Sequence, residues 1–140
     1  MKSCSFFGHR DIVGITEERV ISAIEKTVSD DGTGVFYVGN NGSFDRLVIG
    51  ALTKIANKYP AVVWYIVIAY MDTERGSSFK NTIYPEGLES TPRKFCIDKR
   101  NRWMIDHSDI VITHVVHPFG NSERYRRIAE RKGKKIYNII

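Results

Sequence analysis

The apolar residues of this chain change their spacing repeatedly from one end to the other. Short apolar runs typical of strands occupy residues 2–7, 35–38, 61–70, 110–116 and 135–140. Between the runs, apolar residues recur at helical spacing over residues 16–29, 44–58, 93–107 and 123–132. This alternation predicts an α/β protein with a Rossmann-like, doubly wound, mainly parallel five-stranded sheet and helices on both faces.

Polar residues, glycine and proline mark the ends of the predicted helices. Thr16 is placed to cap the first helix, and a glycine-rich turn around Gly32 ends it. Pro60 stops the second helix. In the last helix, Asn121 or Ser122 is the expected N-cap.

Residues 71–92 show no regular apolar spacing and contain several glycines and prolines. About twenty residues without an element is long for a connection inside a compact domain. We therefore expect one domain over residues 1–140, with residues 71–92 as a lid, a binding loop, an oligomer arm or a disordered segment.

The composition, with 42% hydrophobic and 26% charged residues, is typical of a globular protein. The apolar runs are too short for an export signal or a bilayer span, which predicts a cytoplasmic protein without membrane contact. Cys4 and Cys96 lie far apart without metal-ligand spacing, so we expect buried free thiols, no disulfide, no metal and no cofactor.

The formal net charge is +5, and twelve of the 21 lysines and arginines lie between residues 93 and 135. A positive field in this part of the chain would attract nucleotides or nucleic acid. A solvated helix face is the other interpretation of the same charges.

Glycine-bearing turns follow three of the predicted strands, at residues 8–10, 39–45 and 117–123. In a doubly wound sheet these turns share the carboxyl edge, where ligands bind. Glycines let the backbone approach a phosphate closely, and helix N-termini supply N–H donors. The turns lack the spacing of the dinucleotide fingerprint and of the P-loop. They predict a phosphorylated ligand without fixing its kind.

The chain resembles the SLOG superfamily of Rossmann-like nucleotide-binding proteins, which includes the Lonely Guy phosphoribohydrolases and the Rossmann part of the DNA-processing protein DprA. The resemblance rests on residues 6–10 (Phe-Phe-Gly-His-Arg), 39–45 (Gly-Asn-Asn-Gly-Ser-Phe-Asp) and 100–123, and is nearest to small stand-alone bacterial or phage members. Arg100, Met104 and Asp109 match a Lonely Guy pattern, with Asn101 in place of its lysine. The loop at residues 118–123 matches that family poorly, because Phe119 takes a glycine position and the acid Glu123 directly follows Ser122.

Together, the turns and the resemblance imply a set of candidate ligand-binding residues. These are Gly8, His9, Arg10, Gly39, Asn40, Asn41, Gly42, Ser43, Phe44, Asp45, Arg100, Met104, Pro118, Phe119, Gly120, Asn121, Ser122 and Glu123.

The leading hypothesis is binding of a nucleotide or an ADP-ribose-type signalling molecule, including cyclic ADP-ribose, by a sensor or sequestering protein. In this hypothesis phosphates contact residues 39–43 and 120–122, and Phe44 or Phe119 stacks on a base. The alternative is a Lonely Guy-like nucleoside 5'-monophosphate phosphoribohydrolase with Arg100 and Glu123 as catalytic residues.

A third hypothesis is single-stranded DNA binding through Tyr125 and the neighbouring arginines, since a basic groove with an aromatic platform suits such strands. The helix over residues 93–107 mixes aromatic and charged residues, which favours a homo-oligomer.

Overall fold

The computed structural model describes residues 1–9, 14–71, 81–116 and 120–139. Over these ranges the chain forms one sheet of six strands in the spatial order β4-β3-β2-β1-β5-β6, with every neighbouring pair parallel. The strands are β1 (Lys2–Gly8), β2 (Thr33–Val38), β3 (Val63–Val67), β4 (Thr82–Ile83), β5 (Ile110–His114) and β6 (Lys135–Asn138).

The α/β, Rossmann-like architecture expected from the sequence is confirmed, but the sheet has six strands instead of five. The additional strand is β4, which falls within the segment without apolar periodicity. It pairs with the end of β3, where Thr82 lies beside Ile66. A two-residue strand is too short to show a pattern, so only its pairing reveals it.

In the described ranges, four α-helices cover the two faces of the sheet. They are α1 (Glu17–Asp31), α2 (Ser43–Lys58), α3 (Arg93–Asp106) and α4 (Asn121–Arg131). Helices α1 and α2 pack on one face, in a core that contains Phe6, Phe36 and Leu52. Helices α3 and α4 pack on the opposite face, where Met104 and Tyr125 lie against Phe7. Both faces are therefore buried, as a parallel sheet requires.

The ends of the first helix agree with the sequence, whereas the start of the last helix does not. The side chain of Thr16 accepts a hydrogen bond from the Arg19 amide at 3.4 Å, and Gly32 ends α1 in the left-handed conformation. In α4 the N-cap is Gly120, with φ 104° and ψ 175°, instead of Asn121 or Ser122. That backbone conformation is almost restricted to glycine, so it places the cap one residue earlier.

An aromatic group lies beside the carboxyl-terminal part of α3. The Trp103 and His107 rings stack with their centroids 3.9 Å apart, and Tyr37 meets Trp103 edge to face at 5.3 Å. The His107 Nδ1 atom lies 2.8 Å from the Trp103 carbonyl oxygen, which holds the two rings in register along the helix. The α3 backbone and β2 are thereby joined through three rings.

Two findings bear on the expectations for membrane spans and for the two cysteines. No helix in the described part of the chain combines the length and the apolar character needed to span a bilayer. Cys4 and Cys96 are both buried as free thiols. Burial raises the pKa of the Cys4 thiol, so it stays protonated.

Candidate functional site

The sheet reverses its winding direction between β1 and β5, and the carboxyl ends of these two strands lie side by side there. The Nε2 atom of His9 accepts a hydrogen bond from the Val116 amide at 3.0 Å, so it links the segments that leave the two strands. Ligands of doubly wound sheets bind in the crevice at such a switch point. A ligand site is therefore expected at this edge of the sheet.

A cavity of about 270 Å³ lies at the same edge, on the side covered by α3 and α4. It is walled by the ends of β1 and β2 and by parts of α2, α3 and α4. The described residues that line it are Phe6, Phe7, Gly8, Gly39, Asn41, Asp45, Ile97, Arg100, Asn101, Met104, Asn121, Ser122 and Tyr125.

Arg100, on α3, lines this cavity, and its side chain is only 2% exposed. Its Nη1 donates to the Val67 carbonyl oxygen at 2.8 Å, and its Nη2 donates to Asn41 Oδ1 at 2.9 Å. Its Nε donates to Asn101 Oδ1 at 2.7 Å, and Nη1 also lies 3.5 Å from Asn40 Oδ1. Four of the five guanidinium N–H groups are thus used within the protein. Through its bonds to Asn40 and Asn41, Arg100 holds the loop after β2 in place. It also adds a buried positive charge to the wall of the cavity.

Asp45, in the first turn of α2, is the carboxylate that lines the cavity beside Arg100. Its Oδ2 accepts a hydrogen bond from the Asn41 amide at 2.9 Å. A Cβ on Gly39 would lie 2.9 Å from Asp45 Oδ2 and 3.0 Å from Arg100 Nη1, so the bare glycine lets both charged groups approach the same backbone. Burial raises the pKa of Asp45 to about 6, against the opposing effect of Arg100. Asp45 therefore changes its charge close to neutral pH.

Helix α4 begins at the cavity with Asn121 and Ser122 in its wall. Gly120 has no side chain with which to cap the helix, so it satisfies none of the first N–H groups. The first-turn acid, Glu123, is turned toward the next turn of its own helix. Its carboxylate accepts from Arg126 at 2.6 and 2.7 Å and from Arg127 at 3.0 Å. These contacts lower the pKa of Glu123 to about 2.

Helices α2 and α4 start in the same way but differ in how the first-turn acid is used. Gly42 before α2 has φ 98° and ψ 176°, close to the values of Gly120 before α4. In α2 the acid at the third helical position, Asp45, folds back to the loop amide of Asn41. In α4 the acid at the corresponding position, Glu123, is bound by two arginines. In α4 the negative charge of the first-turn acid is thus balanced by two arginines of the same helix.

A solved structure has a similar fold. It is the DNA processing protein A from Helicobacter pylori, which matches with a TM-score of 0.61 and 17% sequence identity over 98% of this chain. This chain shares the fold of that protein. It spans 64% of the length of that longer chain, whose structure was described for its unique mode of single-stranded DNA binding. At this identity the likeness concerns the fold alone. No protein-family model and no curated protein matches the sequence.

Some of the predicted ligand-binding residues line the cavity, and they come from all three glycine-bearing turns and from α3. The candidates in its wall are Gly8, Gly39, Asn41, Asp45, Arg100, Met104, Asn121 and Ser122. Candidates that lie near the same edge without lining the cavity are His9, Asn40, Gly42, Ser43, Phe44, Gly120 and Glu123. Arg10, Pro118 and Phe119 lie outside the described residues.

Phe44 differs from its expected role as a stacking face for a base. It is 1% exposed, packs on Gly8, and lies roughly parallel to the His114 ring with centroids 6.2 Å apart. Its ring supports the start of α2 from inside the core. It therefore presents no open face to a ligand in this structure.

Two cavity residues on α3, Ile97 and Asn101, are absent from the predicted set although the sequence carries a signal for them. Ile97 and Asn101 lie in the wall with Arg100 and Met104. Positions 97, 100, 101 and 104 follow the i, i+3, i+4, i+7 spacing of one helix face. The periodicity that places Arg100 at the site therefore also places Ile97 and Asn101 there.

The donor set of the site suits an anion or a sugar better than a metal ion. Within the described ranges of the chain, no three histidine, cysteine or acidic residues form a group able to hold a metal. The polar side chains in the described lining of the cavity are three amides, two hydroxyls, one carboxylate and one guanidinium. This mixture offers both donors and acceptors to a polar organic ligand.

Proposed function

We propose that this chain binds a nucleotide or a nucleotide-derived molecule in the cavity at the carboxyl edge of its sheet. The observation that carries the proposal is the start of α4, which opens into the cavity while its first-turn acid is bound by Arg126 and Arg127. A helix N-terminus in this state attracts a phosphate through its N–H groups and its dipole. The buried charge of Arg100 acts in the same direction.

Two further points support a nucleotide as the phosphorylated ligand. The cavity adjoins the switch point of a doubly wound sheet, where nucleotides characteristically bind. The turns resemble those of the SLOG superfamily, and we propose that the chain is a member. The role would then be that of a sensor or a sequestering protein, with ADP-ribose-type molecules as the first ligands to test.

We propose that the phosphate contacts α4 in preference to α2. The Asn41 amide, which the sequence suggested as a phosphate donor, already donates to Asp45 at 2.9 Å. A phosphate at that position would also meet the carboxylate of Asp45. Asn121, Ser122 and the first amides of α4 are therefore the proposed phosphate contacts.

The phosphoribohydrolase alternative receives less support from this arrangement. Glu123, its proposed acid or base, has both carboxylate oxygens bound to arginine and does not line the cavity. A pKa of about 2 also makes a carboxylate a weak general base near neutral pH. Hydrolysis would require Glu123 to leave these partners.

The test is to measure AMP, ADP-ribose and cyclic ADP-ribose binding by calorimetry, after mass spectrometry of any nucleotide released from the denatured protein. Ser122→Asp introduces a negative charge at the proposed phosphate position while favouring the helix dipole. We expect it to weaken binding at least about tenfold, while the neutral variant Ser122→Asn stays within about threefold of the parent protein. Equal affinity in the two variants would overturn this placement, and absence of binding by any nucleotide would overturn the function.

Single-stranded DNA binding is a second candidate, because the protein of similar fold from Helicobacter pylori binds single-stranded DNA. The expected stacking platform is not open, however. Tyr125 is 5% exposed, stacks on Phe7, and donates its hydroxyl to Asp98 at 2.8 Å. Arg126 and Arg127 are engaged by Glu123. Oligothymidylate binding that weakens steeply with salt would favour this candidate over the nucleotide.

Homo-oligomer formation remains a proposal as well. In α3, Met104 is buried against the sheet, whereas Phe95 is 53% exposed at the opposite end of the helix. Sedimentation of the parent protein and of Phe95→Ser would test whether this end of α3 forms the interface.

A further inference from the structure

The cavity contains one feature that a pure phosphate site would not have, namely the carboxylate of Asp45. Among the described lining residues Asp45 is the sole acid, and it shares the wall of this small cavity with Asn121 and Ser122 at the start of α4. An ionised carboxylate accepts hydrogen bonds and repels anions. The ligand must therefore present hydrogen-bond donors, or a cation, to this side of the cavity.

The position of Asp45 is fixed by contacts on two sides. Oδ2 accepts from the Asn41 amide at 2.9 Å, and the Arg100 guanidinium lies beside it over Gly39. A carboxylate has about four acceptor positions on its two oxygens, and the Asn41 bond occupies one of them. Asp45 thus has a fixed orientation and retains the capacity to accept from a ligand.

The size of the cavity indicates which part of a nucleotide lies near Asp45. Its volume of about 270 Å³ is slightly below the roughly 300–1,000 Å³ of pockets that enclose drug-sized ligands. It accommodates a sugar and its phosphate, with the base directed toward the opening. With the phosphate on α4, the group that faces the α2 wall is the sugar, whose donors are hydroxyl groups.

A metal ion is the other occupant that a carboxylate could attract. Asp45 would be its only acidic ligand within the described wall of the cavity, and the adjacent guanidinium of Arg100 would repel a cation. Hydroxyl donors meet neither difficulty. A neutral diol also fits a carboxylate that has an arginine as its neighbour.

We infer that Asp45 accepts hydrogen bonds from the ribose hydroxyl groups of the ligand and so makes the site selective for ribonucleotides over 2'-deoxyribonucleotides. The inference rests on the proposed function, because it assumes a nucleotide phosphate on α4. It also opposes DNA as the ligand of this cavity, since a deoxyribose lacks the 2'-hydroxyl. Asp45 is in this role a specificity residue that contacts the ligand.

The experiment compares four probes by calorimetry or by amide NMR titration at pH 7.5, where Asp45 is ionised. The probes are AMP, 2'-deoxy-AMP, ribose 5-phosphate and 2-deoxyribose 5-phosphate, so the second pair removes any effect of the base. Loss of a hydrogen bond to a charged group predicts that the parent protein prefers each ribose compound by about tenfold or more. Asp45→Asn should reduce this preference to within about threefold, and Asp30→Asn, at the exposed end of α1, should leave it unchanged.

The outcomes separate the inference from the proposed function. Equal binding of ribose and deoxyribose compounds to the parent protein overturns the ribose contact and leaves nucleotide binding intact. Failure of all four probes to bind overturns both. If Asp45→Asn does not fold, the comparison of AMP with 2'-deoxy-AMP on the parent protein still decides, because equal affinities would refute the inference without any variant.

Discussion

Asp45 and Glu123 occupy the same position in two helices, the third residue after a glycine N-cap, but they have opposite electrostatic surroundings. Asp45 is held beside the cavity by one amide, and its burial favours the protonated form. Glu123 is held by two arginines, and these favour the ionised form. The acid of α2 therefore holds the loop before its helix, whereas the acid of α4 pairs with arginines further along its helix.

The pH dependence of stability should reveal the surroundings of Asp45. Folding raises its pKa from 3.8 to about 6, so the folded protein holds the proton more tightly than the unfolded chain. This contribution is complete below about pH 4, is lost as the pH rises to about 6, and amounts to about 2–3 kcal/mol. In urea unfolding from pH 4 to pH 8, the free energy of Asp45→Asn minus that of the parent protein should rise over this window.

Glu25, Asp31, Asp98 and Glu123 have lowered pKa values, so the total stability of the parent protein follows several groups. Only the difference from the variant isolates Asp45. A difference that stays constant between pH 4 and pH 7 would show that Asp45 is solvated in the folded state.

The ion pairs of Glu123 predict a stability contribution that changes with pH in the opposite direction to that of Asp45. Their stabilising effect is present above the ordinary pKa of 4.5 and is lost as the pH falls toward about 2. Glu123→Gln should cost about 1–2 kcal/mol at pH 7 and much less at pH 2.5. Glu130→Gln, which breaks an exposed pair with Arg126, should cost less than about 0.5 kcal/mol at either pH. Similar losses in both variants would contradict the buried character of the Glu123 contacts.

Arg100 is predicted to matter for folding through the shape of its side chain as well as through its charge. Arg100→Lys keeps the charge but cannot reach Val67, Asn41 and Asn101 at once. We expect a loss of about 2–4 kcal/mol by urea unfolding, since buried acceptors are left without donors. Arg102→Lys, on the half-exposed face of α3, should stay within about 0.5 kcal/mol. A mild effect of Arg100→Lys would mean that the loop after β2 folds without this anchor.

Gly8 should tolerate no side chain, because a Cβ there would overlap the buried ring of Phe44. Gly8→Ala is expected to destabilise the protein by about 1–3 kcal/mol, and to weaken nucleotide binding by displacing the start of α2. The matched variant is Gly50→Ala within α2, where the new Cβ meets only the end of the Glu17 side chain at 2.7 Å. Because alanine favours a helix, that variant should be neutral or slightly stabilising. Thermal unfolding of both proteins is the measurement.

The order of the elements was predictable because long segments of this chain have an unambiguous apolar spacing. Thr16 and Gly32 also mark their helix ends locally, through a side-chain cap and a left-handed turn. Strand β4 was not predictable, since its two residues are defined by pairing with β3 alone. The predicted strand over residues 61–70 is longer than the observed β3. Residues 61, 62 and 68–70 continue the apolar run beyond the strand Val63–Val67.

The predicted topology located the site at the carboxyl edge of the sheet, but it could not predict the orientation of individual side chains. Gly39 and Arg100 meet because strand ends and the α3 face converge there. The contacts of Glu123 depend on which of its neighbours it pairs with, and the burial of Phe44 depends on the bare backbone of Gly8. Both contacts depend on how side chains of different elements pack together, and the spacing of apolar residues along the sequence does not contain this information.

The stacked rings of Trp103 and His107 give this protein an internal optical signal. Trp103 lies on the helix that supplies Arg100, Asn101 and Met104 to the cavity wall. A ligand that shifts α3 by a fraction of an ångström would alter the overlap of the indole with the imidazole, and with it the fluorescence of the indole. Ligands could accordingly be screened by emission spectroscopy on the unlabelled chain, with Trp64→Phe removing the background from the other tryptophan.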